Sequence, residues 1–246
     1  MDSLPQAPAL LDRRVPRSRT WLWVLGLVVV VAAVAAPLGV AGAKRTPVVL
    51  MGDSLIAEAA PAISTYLDGF GYSVYSQAAV PGSGLLDTQM NWLAKGRELI
   101  AQYDPSVVVV EYVGNYAYFG GIPGVSVYTP TFYRDWTNAA QQLENILTSR
   151  DATVYWVIGP PVGVAVPEAG IVALDRIYEH LHAPNTASGV PPLIDVTPGV
   201  TGGTGKFSEY LPGPGGAPVQ VRQPDGVHFT PYGATLFARS IAQAVA

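Results

Sequence analysis

Short β-rich runs that alternate with helical stretches predict a doubly wound α/β fold, a three-layer α/β/α sandwich on a five-stranded parallel sheet. Three observations carry this. Five β-rich runs recur along the chain, a segment of helical period separates most of them, and "SVVVVEYV" opens continuously apolar, as a strand covered on both faces does. In order, strands are expected at Pro47–Met51, Tyr72–Ser76, Ser106–Tyr112, Thr153–Ile158 and Leu193–Val196. Helices are expected at Leu55–Leu67, Asp87–Tyr103, Thr131–Thr148, Gly170–His182 and Pro231–Val245, with Pro61 an early irregularity in the first. The third carries Phe132, Trp136, Ala139, Leu143 and Leu147, the spacing of one buried helical stripe. Loops 114–130 and 197–224 are long and rich in Gly, Pro and Tyr. Loops of that length in a compact domain usually serve function.

One further helix is expected ahead of this domain. Thr20–Ala43 is free of charge and follows Arg13, Arg14, Arg17 and Arg19. About 20 apolar residues span a bilayer core, and basic residues before the span hold that end in the cytoplasm. The expected organisation is a basic cytoplasmic N-terminus over 1–20, a transmembrane signal anchor over 21–43, and an extracytoplasmic domain over 46–246. A signal peptide cut after Ala41-Gly42-Ala43 is the other reading, and would make the protein secreted. The anchor is favoured because cleavage there leaves almost nothing before the strand at Pro47. Beyond Ala43 the acidic residues outnumber the basic ones by six, and no Lys/Arg patch occurs, which argues against a nucleic-acid partner. There is no cysteine, so thiol nucleophiles, thiolate metal sites and disulfides are excluded.

The candidate chemistry lies in four short stretches. In "LMGDSLIAE", Ser54 follows the first strand at the edge where doubly wound folds place their sites. A serine hydroxyl becomes a nucleophile only when a base takes its proton. The competing reading is that Asp53 or Ser54 merely caps the next helix. A capping box from Ser54 would want Glu or Gln at position 57, where the chain has Ala57. Near the other end, "PDGVHFTPYGA" sets His228 just before a helix opened by Thr230-Pro231, with Asp225 three residues earlier. That spacing lets the carboxylate meet the imidazole and orient it, the third role in a Ser-His-Asp set. A plain Asp225-Gly226 turn is the alternative. His180 and His182 have no acid placed to orient them and read as surface or packing residues; no metal-ligand cluster or cofactor motif is evident. Gly82 in "AVPGSGL" and Asn115 in "EYVGNYAY" follow the second and third strands, where a backbone N–H and a side-chain amide could hold an oxyanion.

Taken together, "GDSL", "VPGSG", "VGNY" and "DGVH" resemble, in order, the blocks of the SGNH (GDSL-type) hydrolase superfamily, from Gly52 to His228. The resemblance implies a flavodoxin-like α/β/α fold, no metal or other cofactor, and ester hydrolysis or acyl transfer through an acyl-serine. It implies Ser54 as nucleophile, Asp225 and His228 as its partners, and Ser54, Gly82 and Asn115 as the oxyanion donors. Tyr116 stands where the family commonly has an acidic residue, which alters the pocket beside Asn115. The expected activity is an extracytoplasmic serine esterase, tethered to the membrane by its N-terminal helix and acting on an ester-bearing small molecule, glycan or lipid. An acyltransferase on an envelope glycan is the nearest alternative. A silent envelope-binding domain would have lost a residue of the set, and none is lost.

Overall fold

The computed structural model describes residues 44–88, 90–113, 123–182 and 193–246, apart from the side chains of Val166 and Pro167. Five strands form one sheet: β1 (Thr46–Gly52), β2 (Tyr72–Ala79), β3 (Val107–Glu111), β4 (Thr153–Ile158) and β5 (Ile194–Asp195). They run in the order β2-β1-β3-β4-β5, and every pairing is parallel. Six helices accompany them among the described residues: α1 (Ser54–Asp68), α2 (Trp92–Tyr103), α3 (Pro130–Leu147), α4 (Ala165–His182), α5 (Thr197–Thr201) and α6 (Pro231–Val245). The order 2-1-3-4-5 is the flavodoxin-like winding, in which the chain leaves β1 to opposite sides and opens a crevice at the carboxyl ends of β1 and β3.

The sequence dictates the layers through the two-residue period of its strands. Val48, Leu50, Val107 and Val109 pack with Ile56 and Ile63 of α1 and Phe237 and Ile241 of α6. Their neighbours Val49, Met51, Val108 and Val110 pack with Leu99 of α2, Trp136 and Leu143 of α3, and Leu174 and Tyr178 of α4. All of these strand side chains are buried. At about 1.5–3 kcal/mol for each fully buried aliphatic side chain, this two-sided core fixes the register of the central strands.

The expected fold class stands for this domain, with local corrections. Helix α2 starts at Trp92 rather than Asp87, because the Asn91 side chain accepts the Ala94 N–H and caps the helix there. Helix α4 starts at Ala165 rather than Gly170, five residues early. The stretch 197–224 is not all loop: it holds α5 and an antiparallel pair, β6 (Tyr210–Pro212) with β7 (Pro218–Gln220). The expected basic N-terminus (1–20) and transmembrane segment (21–43) lie outside the described residues. Among the described residues no helix is long and apolar enough to cross a membrane.

Candidate active site

Strand β1 delivers the nucleophile candidate. Its last residue, Gly52, lies so close to β3 that a Cβ would overlap the Glu111 carbonyl oxygen and crowd Ile56, so only glycine fits. Asp53 then caps α1, its Oδ1 accepting the Leu55 N–H at 3.0 Å. Its Oδ2 accepts the Val113 N–H at 3.0 Å, which ties the turn to the end of β3. The cap role therefore belongs to Asp53. Ser54 becomes the first residue of the helix, with its hydroxyl left for other work.

That hydroxyl meets His228. Ser54 Oγ lies 3.0 Å from His228 Nε2, and His228 Nδ1 lies 2.7 Å from Asp225 Oδ2. A carboxylate only accepts hydrogen bonds, so Nδ1 carries the proton and Nε2 is the bare acceptor toward which Ser54 donates. Residues 174 positions apart thus form one contact chain over the carboxyl edge of the sheet. Burial pushes the Asp225 carboxyl up. Hydrogen bonds from the Val227 N–H, the His228 ring and the His228 N–H outweigh this and hold it below the ordinary carboxylate range.

The loop that carries His228 is held from three sides. Asp225 Oδ1 accepts the N–H groups of Val227 and His228, folding the loop back on its own carboxylate. Arg222, only 1% exposed, stacks on the Phe229 ring with its guanidinium carbon 3.9 Å from the centroid. It donates to the Val227 carbonyl and, across the chain, to the Pro161 carbonyl at 2.9 Å. Burial brings this guanidinium down to about 10. Glu58, one helical turn beyond Ser54, accepts the Phe229 N–H at 3.0 Å and so joins the nucleophile helix to the histidine loop. Burial raises its carboxyl above the ordinary range.

The segment after β2 supplies a donor. The Ser83 N–H donates to the Val80 carbonyl, with Pro81 and Gly82 between them and Gly82 at φ +76°. This is the pattern of a type II turn, whose third position requires positive φ and hence glycine. The Val80 N–H donates to the Gly52 carbonyl at 2.8 Å, fastening this turn beside the nucleophile. Among the described residues neither the Ser54 nor the Gly82 N–H makes a hydrogen bond, so both remain available to an incoming oxygen. Asn115 lies outside the described residues.

The structure therefore brings together Ser54, Gly82, Asp225 and His228. It leaves His180 and His182 at the end of α4, each with Nδ1 against the carbonyl four residues back in its own helix. Among the described residues no group of three or more His, Cys, Asp or Glu could hold a metal ion. Sequence reasoning missed Glu58, Glu111 and Arg222. Two of them left a signal: Glu58 is four residues from Ser54 on a helix, and Glu111 is an acid inside an otherwise apolar strand run.

This winding, with serine, histidine and aspartate in hydrogen-bonded sequence at its carboxyl edge, defines the class: the SGNH (GDSL-type) hydrolase fold. The chain belongs to the family described as "Protein of unknown function (DUF459)", whose model matches residues 47–244. No curated protein matches the chain. Solved structures do. An acetyl xylan esterase superposes with a TM-score of 0.58 at 17% identity, covering 81% of this chain and 100% of that one. A psychrotrophic esterase from a Pseudoalteromonas species, solved inhibited by monoethylphosphonate, superposes at 0.56 with 12% identity over 82% and 97% of the two chains. A GDSL-like lipase from Bacteroides thetaiotaomicron superposes at 0.53 with 18% identity over 90% and 96%. At these identities the likeness establishes the fold.

Proposed function

We propose that this protein is a serine esterase which hydrolyses carboxylic esters through an acyl-serine intermediate. The observation that carries the reading is the unbroken contact chain from Asp225 through His228 to Ser54. In the first half-reaction His228 Nε2 takes the Ser54 proton as Oγ attacks the ester carbonyl carbon, and Asp225 stabilises the imidazolium that forms. The carbonyl oxygen becomes an oxyanion that receives the Ser54 and Gly82 N–H groups and the Asn115 amide. The imidazolium returns its proton to the leaving alcohol. Water then attacks the acyl-serine with His228 again as base, releasing the acid and restoring Ser54. Asn115 enters this scheme through the family resemblance. Esterases and a lipase of the same fold add support.

The natural substrate in this proposal is an acyl ester on an envelope glycan or lipid. That setting follows from the uncharged run Thr20–Ala43 behind four arginines, which would tether the domain outside the cytoplasmic membrane. The test is a panel of p-nitrophenyl esters of rising chain length plus acetylated sugars, offered to the full-length protein with and without a glycan acceptor. Ester turnover that releases free acid is expected, dependent on Ser54. An acylated glycan as the main product would make the protein a transferase, and no turnover of any ester above the Ser54→Ala background would end the esterase reading.

A further inference from the structure

A second acid lies beneath the nucleophile. Glu111 closes β3, and the strand's alternation turns its side chain the same way as Val107 and Val109, toward α1. The residue is fully buried, and neither carboxylate oxygen accepts a hydrogen bond among the described residues. An unmatched charge there would be expensive. The polar groups facing it are the Asp53 carboxyl and the Ile56 N–H at the start of α1, with Asp175 of α4 farther off. Tyr112, next in the chain, and Tyr178 of α4 are the other titratable groups that sense it.

Two carboxyl groups side by side in a dry site cannot both be ionised, so the pair retains one proton. Geometry says where it sits. Both Asp53 oxygens already receive backbone N–H groups, from Leu55 and Val113, which favours negative charge on Asp53. Glu111 has no such donors to hold a charge. Burial, then the neighbouring Asp53 charge, push the Glu111 carboxyl well above the ordinary range.

We propose that Glu111 is a positioning residue for the reaction: it stays protonated and donates that proton to Asp53, fixing the ionised carboxylate that clamps the Ser54 turn to Val113. Val113 immediately precedes Gly114-Asn115, so the clamp sets the nucleophile against the segment expected to provide the third oxyanion donor. Without the donated proton, Asp53 must recruit a proton of its own or turn from one of its two N–H partners. Either change shifts the nucleophile relative to the oxyanion donors, which costs rate rather than substrate binding. This inference rests on the esterase reading, and its test separates the two.

The experiment compares full-length wild type with Glu111→Gln and Glu111→Leu, assayed for kcat and KM on p-nitrophenyl acetate and for fold by circular dichroism. Glutamine keeps a neutral donor toward Asp53, so its kcat should stay within about threefold of wild type. Leucine keeps the burial but donates nothing, so its kcat should fall about 30-fold or more with KM changed by less than about threefold. Equal losses in both variants, or full activity with leucine, would overturn the inference. Should the leucine variant fail to fold, glutamine decides alone: retained kcat supports the donor role and lost kcat overturns it. Infrared spectra give a readout that needs no turnover. At neutral pH the wild type should show the C=O band of a protonated carboxyl that Glu111→Gln lacks. That band without any Ser54-dependent turnover would leave the shared proton in place and remove the esterase reading. Its absence from the wild type would overturn the inference.

Discussion

Replacing Ser54 by alanine is expected to lower kcat/KM for p-nitrophenyl acetate by about 10⁴-fold or more while leaving the fold intact, because a member of a serine–histidine–aspartate unit is lost. The size of the effect follows from the division of labour at the turn. Asp53, not Ser54, caps α1, so the substitution removes neither the cap nor the tie to Val113. Alanine is also the better helix former at a position already inside the helix. Stability should therefore change by no more than about 0.5 kcal/mol, the range usual where no special contact is lost. A large fall in rate at unchanged melting temperature separates a nucleophile from a structural serine. Equal rates in the two proteins would contradict the assignment.

His228→Ala should be almost as damaging, and its loss should not add to that of Ser54→Ala. The only hydroxyl hydrogen bond found for Ser54 is the 3.0 Å contact to His228 Nε2, so without the imidazole nothing nearby removes the proton as Oγ attacks. We expect kcat/KM to drop by about 10⁴-fold in His228→Ala, and the double variant to be within about threefold of the weaker single one, as groups that act as a unit are strongly non-additive. The fold should survive, because the Asp225 side chain that loses its partner is 48% exposed and still receives the Val227 and residue-228 N–H groups. Steady-state kinetics of the two single variants and the double variant measure this. Losses that multiply would mean that the two residues act independently.

These two residues were legible because each sits in a local pattern that a strand end or a helix start makes recognisable. Ser54 follows a β-branched run and Gly52, and His228 precedes a Thr-Pro helix opening. The central strands were legible for a related reason: Val107–Val110 is buried on both faces, and such strands announce themselves as continuous apolar runs. The pair β6–β7 was not, since its three-residue strands carry Pro212 and Pro218 within a Gly/Pro-rich stretch and show no alternation to read. The start of α2 was misplaced because Asp87 looks like a helix opener, whereas the chain continues irregularly to Asn91, with the Trp92 indole bound to the Gly84 carbonyl. Arg222 was invisible in another way. Its burial depends on the Phe229 ring and on carbonyls at Val227 and Pro161, the last 61 residues away, and no local pattern encodes that meeting. Asn115 and the apolar leader were read from sequence alone and keep that standing.

The most direct test of the central claim, that Ser54 is an activated nucleophile, is covalent labelling of the full-length protein by a fluorophosphonate, read by mass spectrometry of the peptide that contains residue 54. A single adduct on Ser54 is expected, absent from Ser54→Ala and formed far more slowly in His228→Ala. An unlabelled Ser54 in folded wild-type protein, or labelling as fast without His228 as with it, would contradict the claim.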